Sequence, residues 1–249
     1  MITDSFDNQS EPLFTVESFI GPQRHLAEVC ILTFSEVLLS ELKARFSLRA
    51  VDALQTVNGS RPIYLFECAG KTIAAVLCSV GATMAGNEIV ELNWIIGATK
   101  FIVFGSAGSL NRAATEGKYV IPTEAYRDEG MSYHYAPPAD YIAIRTADQL
   151  AAIFDELHLP YVKGRVWTTD AFYRETRDQF SARRNEGCLA VEMELAGVEA
   201  VCDFHGLALY AFLQTGDVLD APVYENDQLS HANHGLDKLD IALQIAERV

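Results

Sequence analysis

Apolar residues in this chain fall into short continuous runs, separated by longer stretches in which they recur at helical spacing. Residues 28–34 (EVCILTF) form the first run, short and apolar enough for a buried strand. Ser35 then opens SEVLLSELKARF, where Val37, Leu38, Leu42 and Phe46 fall near one helical face, so a strand feeding a helix is expected. Residues 62–68 and 72–79 read as two strands joined by a tight connection at Ala69-Gly70-Lys71. A glycine-containing loop is predicted over 81–86, with a helix over 87–96. The next apolar run, residues 100–104 (KFIVF), ends at Gly105-Ser106-Ala107-Gly108, where small residues predict a sharp turn that lets backbone approach a ligand.

Further strands are expected over 119–121, 161–168 and 207–213, with helices over 147–157, 193–204 and 234–248. Strands alternating with helices predict an α/β fold in one domain, with a mixed, mostly parallel central sheet flanked by helices. Ligands in such sheets gather beyond the C-terminal ends of the strands. Residues 1–27 lack sustained periodicity and are expected to form an N-terminal arm ahead of a domain over 28–249.

Composition narrows the function classes. The 249 residues are 49% hydrophobic and 21% charged, the balance of an ordinary globular chain. No apolar run approaches the ~20 residues that span a bilayer. The polar, acidic N-terminus (MITDSFDNQSEP) is unlike a signal peptide, so a cytoplasmic protein is expected. Cys30, Cys68, Cys78, Cys188 and Cys202 form no CxxC pair, which predicts reduced thiols and no metal. A net charge of -15 argues against nucleic acid and anionic membrane as partners. A small anion remains compatible, because a few local donors outweigh distant charge once water is excluded.

Several polar segments offer chemistry, each with a plainer structural explanation beside it. Glu192 and Glu194 lie where a helix is expected to begin, and acidic residues there stabilise the helix dipole by ~0.3–1 kcal/mol without any ligand. Asp217, after an apolar strand, fits either a catalytic carboxyl or a turn or helix cap. Phe172 and Tyr173 suit a planar base or the core. Arg127 fits a base contact or an ion pair with Asp128 or Glu129. Ser106 and the loop at Gly81-Ala82-Thr83 fit anion contacts or plain turns, and His231 and His234 fit surface or capping positions better than a metal site. There is no GxSxG, no P-loop and no dinucleotide fingerprint.

Taken together and in order, FGSAGSL (104–110), AYRDEGMSYHYAP (125–137), TTDAFYRE (168–175), VEMELAG (191–197) and TGDVLD (215–220) resemble the nucleoside phosphorylase family from about residue 30 onward. That family includes purine nucleoside and uridine phosphorylases and the related nucleosidases that cleave methylthioadenosine. The resemblance implies a nucleoside phosphorylase-like fold and cleavage of an N-glycosidic bond, with a nucleoside and phosphate as partners and no cofactor. It implies that Glu194 grips the ribose hydroxyls, with Glu192 and Met193 on the sugar side. Asp217 would protonate the leaving base, with Asp220 as the fallback. Phe172, Tyr173 and Arg127 would lie on the base side, and Ser106 and Gly81 would hold phosphate. The stretch FYRETRD (172–178) lacks the polar pair that reads uracil in uridine phosphorylases, which favours a purine.

The chain departs from the family at Val103, where phosphorylases carry an arginine, and at Thr33-Phe34-Ser35-Glu36, which lacks the usual Gly and Arg. Charge-assisted contacts to phosphate are lost with those arginines. Arg61, or Arg45 and Arg49 from a neighbouring subunit, are candidate replacements. Two alternatives therefore stand beside phosphorolysis: a nucleosidase in which Glu36 activates water, and a nucleoside-binding protein without turnover. Relatives assemble as dimers or hexamers, so a homo-oligomer is expected.

Overall fold

The computed structural model describes residues 1–221 and 223–249. The strands are β1 (Val29–Thr33), β2 (Arg49–Thr56), β3 (Gly59–Cys68), β4 (Lys71–Leu77), β5 (Lys100–Ser109), β6 (Tyr119–Asp128), β7 (Tyr141–Ala143), β8 (Tyr161–Thr169), β9 (Cys188–Glu192) and β10 (Ala208–Val218). The helices are α1 (Val16–Ile20), α2 (Glu36–Arg45), α3 (Ala82–Ile96), α4 (Arg112–Thr115), α5 (Ser132–Tyr135), α6 (Ala147–Glu156), α7 (Arg177–Asn185), α8 (Leu195–His205), α9 (Leu229–His234) and α10 (Leu236–Arg248). None is long and apolar enough to cross a membrane.

All ten strands join one mixed sheet. β4, β1, β5 and β10 run parallel side by side, and β6, β8 and β9 form a second parallel group. Antiparallel contacts of β10 with β6 and of β5 with β9 join the two groups, so β5, β9, β8, β6 and β10 close into a barrel. β2 and β3 continue the open edge in antiparallel order.

The central strands are apolar throughout because both of their faces are covered. Along β5, Phe101 and Val103 enter one core while Ile102 and Phe104 enter the other. On β10, Leu209 and Ala211 alternate with Tyr210 and Phe212 in the same way. Helices α3 and α8 cover the first face, and α2, α6 and α10 the second. Each large apolar side chain buried in this manner contributes ~1.5–3 kcal/mol.

Several boundaries differ from expectation. β5 does not turn at Gly105-Ser106-Ala107-Gly108; it runs on to Ser109 because β10 pairs along its whole length and β9 pairs at Gly108. β10 likewise extends through the TGD segment to Val218. α3 starts at Ala82, and Gly86 lies inside it where the helix packs closely on Met131 and Val201. On α2 the buried face is Leu38, Leu39 and Leu42, whereas Val37 is exposed. β2 and α7 have no counterpart among the expected elements.

Residues 1–27 are tied to α3. The amides of Leu26 and Ala27 donate to Ile96 O, Arg24 N donates to Trp94 O, and Trp94 Nε1 donates to Gly21 O at 2.5 Å.

Candidate active site

Two cavities open beside the C-terminal ends of the parallel strands and meet at Ser106 and Met193. The larger, about 1040 Å3, is lined by Phe172, Glu175, Phe180, Asp217 and Tyr224 among others. The smaller, about 370 Å3, is lined by Thr33, Phe34, Glu194, Asn233, His234 and Lys238. Glu194 and Asp217 thus face a shared space from its two halves.

The segment Glu192-Met193-Glu194 links β9 to α8. Glu192 is buried and fully engaged: its carboxylate accepts from Thr168 Oγ1, from Glu194 N at 2.7 Å and from Leu195 N at 2.8 Å. Burial pushes its pKa up to about 8, with the charge of Glu194 adding to the effect. Glu192 therefore braces the turn, and it also lines the larger cavity beside Met193.

Glu194 is the half-in residue ahead of α8. Its Oε1 accepts from Gly81 N at 2.7 Å, and its Oε2 accepts from Met193 N at 3.3 Å. Burial raises its pKa while these two backbone donors lower it. Gly81 adopts φ 99°, a conformation that suits glycine, at the start of α3. Its amide is spent on Glu194, so it does not stand free for an anion; the expected phosphate contact at Gly81 becomes a support for the acidic side chain.

Asp217 follows an irregularity in the β10–β5 ladder between Thr215 and Asp217. Such bulges re-aim a side chain, and this one is associated with the placement of Asp217 at the larger cavity. Gly108 on the facing strand leaves room for Leu219 beside it, since a Cβ there would lie 2.5 Å from Leu219 Cδ1 and 3.0 Å from Val191 Cγ1. Burial raises the pKa of Asp217, and the Tyr224 hydroxyl beside it works in the opposite direction. Glu175 lines the same cavity, and burial, reinforced by the charge of Asp217, pushes its pKa up to about 7.

Phe172 and Tyr173 line the larger cavity, mostly exposed, with their rings 3.9 Å apart. Ser106 Oγ donates to Asn233 Oδ1 at 2.7 Å. Ser35 Oγ lies 2.8 Å from His234 Nδ1, and His234, exposed as expected, also lines the smaller cavity. Asp220 borders the larger cavity, but it accepts from Arg112 N and lies 3.7 Å from Arg184.

Arg127 is absent from both cavities. Buried, it donates from Nε to Ser132 Oγ at 2.7 Å, from Nη1 to Pro137 O at 2.6 Å and from Nη2 to Ala136 O at 3.3 Å, and it sits over the Tyr133 ring. It is a scaffold for the loop around α5 and lines neither cavity. Val103 is packed in the core. Arg61 bonds Glu88 and Leu77 O away from the site, and the exposed Glu36 lines neither cavity.

Among the lining residues that the sequence did not single out are Glu175, Tyr224, Asn233 and Lys238. Glu175 lay within a quoted motif. Lys238 carried no local signal, because its placement depends on how α10 packs against the sheet. Among the described residues no group of three His, Cys, Asp or Glu is arranged to hold a metal ion.

Carboxyl groups on both halves of a space floored by Met193 suit a reaction that builds positive charge on a sugar while a base leaves. The family model described as phosphorylase superfamily matches residues 28–245. A DeoD-type purine nucleoside phosphorylase of Exiguobacterium sp. is 26% identical over 205 residues, covering 80% of this chain and 85% of that protein. Among solved structures, the 5'-methylthioadenosine/S-adenosyl homocysteine nucleosidase of Campylobacter jejuni superposes with a TM-score of 0.71 at 16% identity, covering 90% of this chain and all of that one. The AMP nucleosidase of Bacteroides thetaiotaomicron gives 0.66 at 19% identity, covering 88% of each chain. Motif order, sheet topology and family match agree: the chain belongs to the phosphorylase superfamily.

Proposed function

We propose that this protein cleaves the N-glycosidic bond of a nucleoside, a purine nucleoside by preference, with phosphate as acceptor, giving free base and ribose 1-phosphate. The observation that carries the reading is the meeting of the two cavities at Ser106 and Met193, with Glu194 on one side and Asp217 on the other. In this reading the base occupies the larger cavity against Phe172, and the ribose rests on Met193 with its hydroxyls donating to Glu194. Phosphate enters the smaller cavity beside Ser106.

The bond from the anomeric carbon to the base nitrogen breaks, its electron pair leaving with the base. A proton held by the Asp217 and Glu175 carboxyls neutralises the base as it departs. A phosphate oxygen then forms the new bond to the anomeric carbon, so one bond replaces another and no cofactor is needed. The carboxylate of Glu194 stabilises the developing positive charge on the sugar. We also infer a cytoplasmic homo-oligomer, a dimer or hexamer, by analogy with the purine nucleoside phosphorylase relatives.

Hydrolysis is the second reading, favoured by the lack of an arginine among the residues lining the smaller cavity. Incubation with inosine, adenosine, uridine and methylthioadenosine, with and without phosphate, separates the two. Ribose 1-phosphate formed only with phosphate supports phosphorolysis, and free sugar supports hydrolysis. Tight nucleoside binding with no base released from any substrate would overturn both.

A further inference from the structure

Lys238 is fully buried on α10, and its side chain borders the smaller cavity together with Ser106, Glu194 and His234. Its ammonium donates to Gln214 Oε1 at 2.8 Å and to His231 O at 3.1 Å. Both acceptors are neutral. Among the described residues no carboxylate lies within ion-pairing distance of Nζ. The adjacent Asp237 accepts from the Tyr119 hydroxyl at 2.5 Å through Oδ2, and its charge offsets only part of the effect of burial on Lys238.

An ammonium has three donors, and only two are used here. Burying a charge costs free energy unless an opposite charge accompanies it. Burial accordingly lowers the pKa of Lys238 in the free protein. An anion entering the adjoining cavity would supply the missing partner.

We propose that Lys238 is the cation of an anion subsite in the smaller cavity, and that the anion is a phosphate group. This assignment rests on the reading above and deepens it. The positive charge that arginines would contribute from the first strand and from position 103 enters from the opposite side of the cavity, on the C-terminal helix. Ser106 Oγ and His234, on the same cavity wall, add hydrogen-bonding groups. The phosphate is either free orthophosphate, acting as nucleophile, or the 5'-phosphate of a nucleotide.

The test is direct binding by calorimetry, with orthophosphate and with AMP as separate probes, so that it does not depend on turnover. Two variants are compared with wild type. Lys238→Met removes the charge while keeping an apolar stem of similar length. Gln214→Glu gives Lys238 an internal counter-charge without changing side-chain size, so it reports even if the first variant does not fold.

Both variants should weaken orthophosphate binding by about tenfold or more, the scale expected for one charge-assisted contact. Lys238→Arg should retain more affinity than Lys238→Met. Weakening seen for AMP alone would support the subsite with an esterified phosphate as its ligand. Undiminished affinity for both probes in a folded variant, or no binding of either probe to wild type, would overturn the proposal. Failure of the catalytic reading shows up separately, as intact phosphate binding with no base released from any nucleoside.

Discussion

The amide of Gly81 donates to Oε1 of Glu194 at 2.7 Å, so the first turn of α3 holds the acidic residue that opens α8. Two helices that approach the sheet from separate parts of the chain are joined at the wall of the smaller cavity. A carboxylate fixed in this way needs little rearrangement when charge develops in front of it.

Glu194→Gln should therefore separate catalysis from folding. The amide oxygen of Gln can still accept from Gly81, while the negative charge is lost. Base release should fall by about a hundredfold in kcat/KM, the lower end of the range for removing one transition-state contact. Stability above neutral pH should hold or rise, because burial raises the pKa of Glu194 and so disfavours its ionised form. Steady-state kinetics paired with urea unfolding checks both. Unchanged turnover in a folded variant would remove Glu194 from the mechanism.

Glu175 gives the fold and the reaction a shared pH dependence. Its pKa is pushed up to about 7 by burial and by the charge of Asp217, against an ordinary value of 4.5. Between those values the folded protein keeps a proton that the unfolded chain has released. Stability from this group therefore falls as pH rises through that window. Urea midpoints measured across it should decline in wild type and decline less in Glu175→Gln. Purine cleavage should fall as pH rises past about 7, when the carboxyl pair gives up its last proton. Asp217→Asn removes the neighbouring charge, so carboxyl-carbon NMR should find Glu175 titrating at lower pH. An unmoved Glu175 would show that the two groups do not interact.

How legible each element was in the sequence follows its burial. β1, β5 and the first half of β10 are covered on both faces, so their apolar runs announced them. β2 is largely exposed, and its RAVDALQT composition has no strand signature; only the antiparallel ladder with β3 reveals it. α7 buries no residue and is held at its start by the Thr176–Gln179 capping box, so hydrophobic periodicity passes it by. The GSAG stretch of β5 read as a turn because small residues are ambiguous locally, and the barrel's cross-strand pairing decides the matter. At the site, Ser106, Phe172, Met193, Glu194 and Asp217 sit in motifs and were anticipated. Lys238 and Asn233 reach the cavity only through the packing of α9 and α10, which no local pattern encodes.

Arg127 should behave as a structural residue. Its guanidinium satisfies Ser132 Oγ and the carbonyls of Pro137 and Ala136, all away from the cavities. Arg127→Met strips these buried acceptors of their donor and should lower stability by about 3 kcal/mol. KM for the nucleoside should change little at temperatures where the variant stays folded. Unfolding midpoints and kinetics on one preparation check this, and a large rise in KM with stability intact would return Arg127 to the base side.

Gly108 is set against Leu219 and Asp217 on the wall of the larger cavity, so adding one methyl there tests its shape. In Gly108→Ala the new Cβ would meet Leu219 Cδ1 at 2.5 Å and Val191 Cγ1 at 3.0 Å, closer than packed carbons tolerate. Leu219 has to swing aside, and overpacking of this kind costs about 1–3 kcal/mol. Leu219 also lines the larger cavity, so its movement narrows the space beside Asp217. Misplacement on the scale of ~1 Å can lower turnover by about a hundredfold. A two-ring purine fills more of that space than a one-ring pyrimidine, so kcat/KM should drop more for inosine than for uridine. Equal losses for the two nucleosides would mean that the base does not lie against Gly108, and the larger cavity would then need a different occupant.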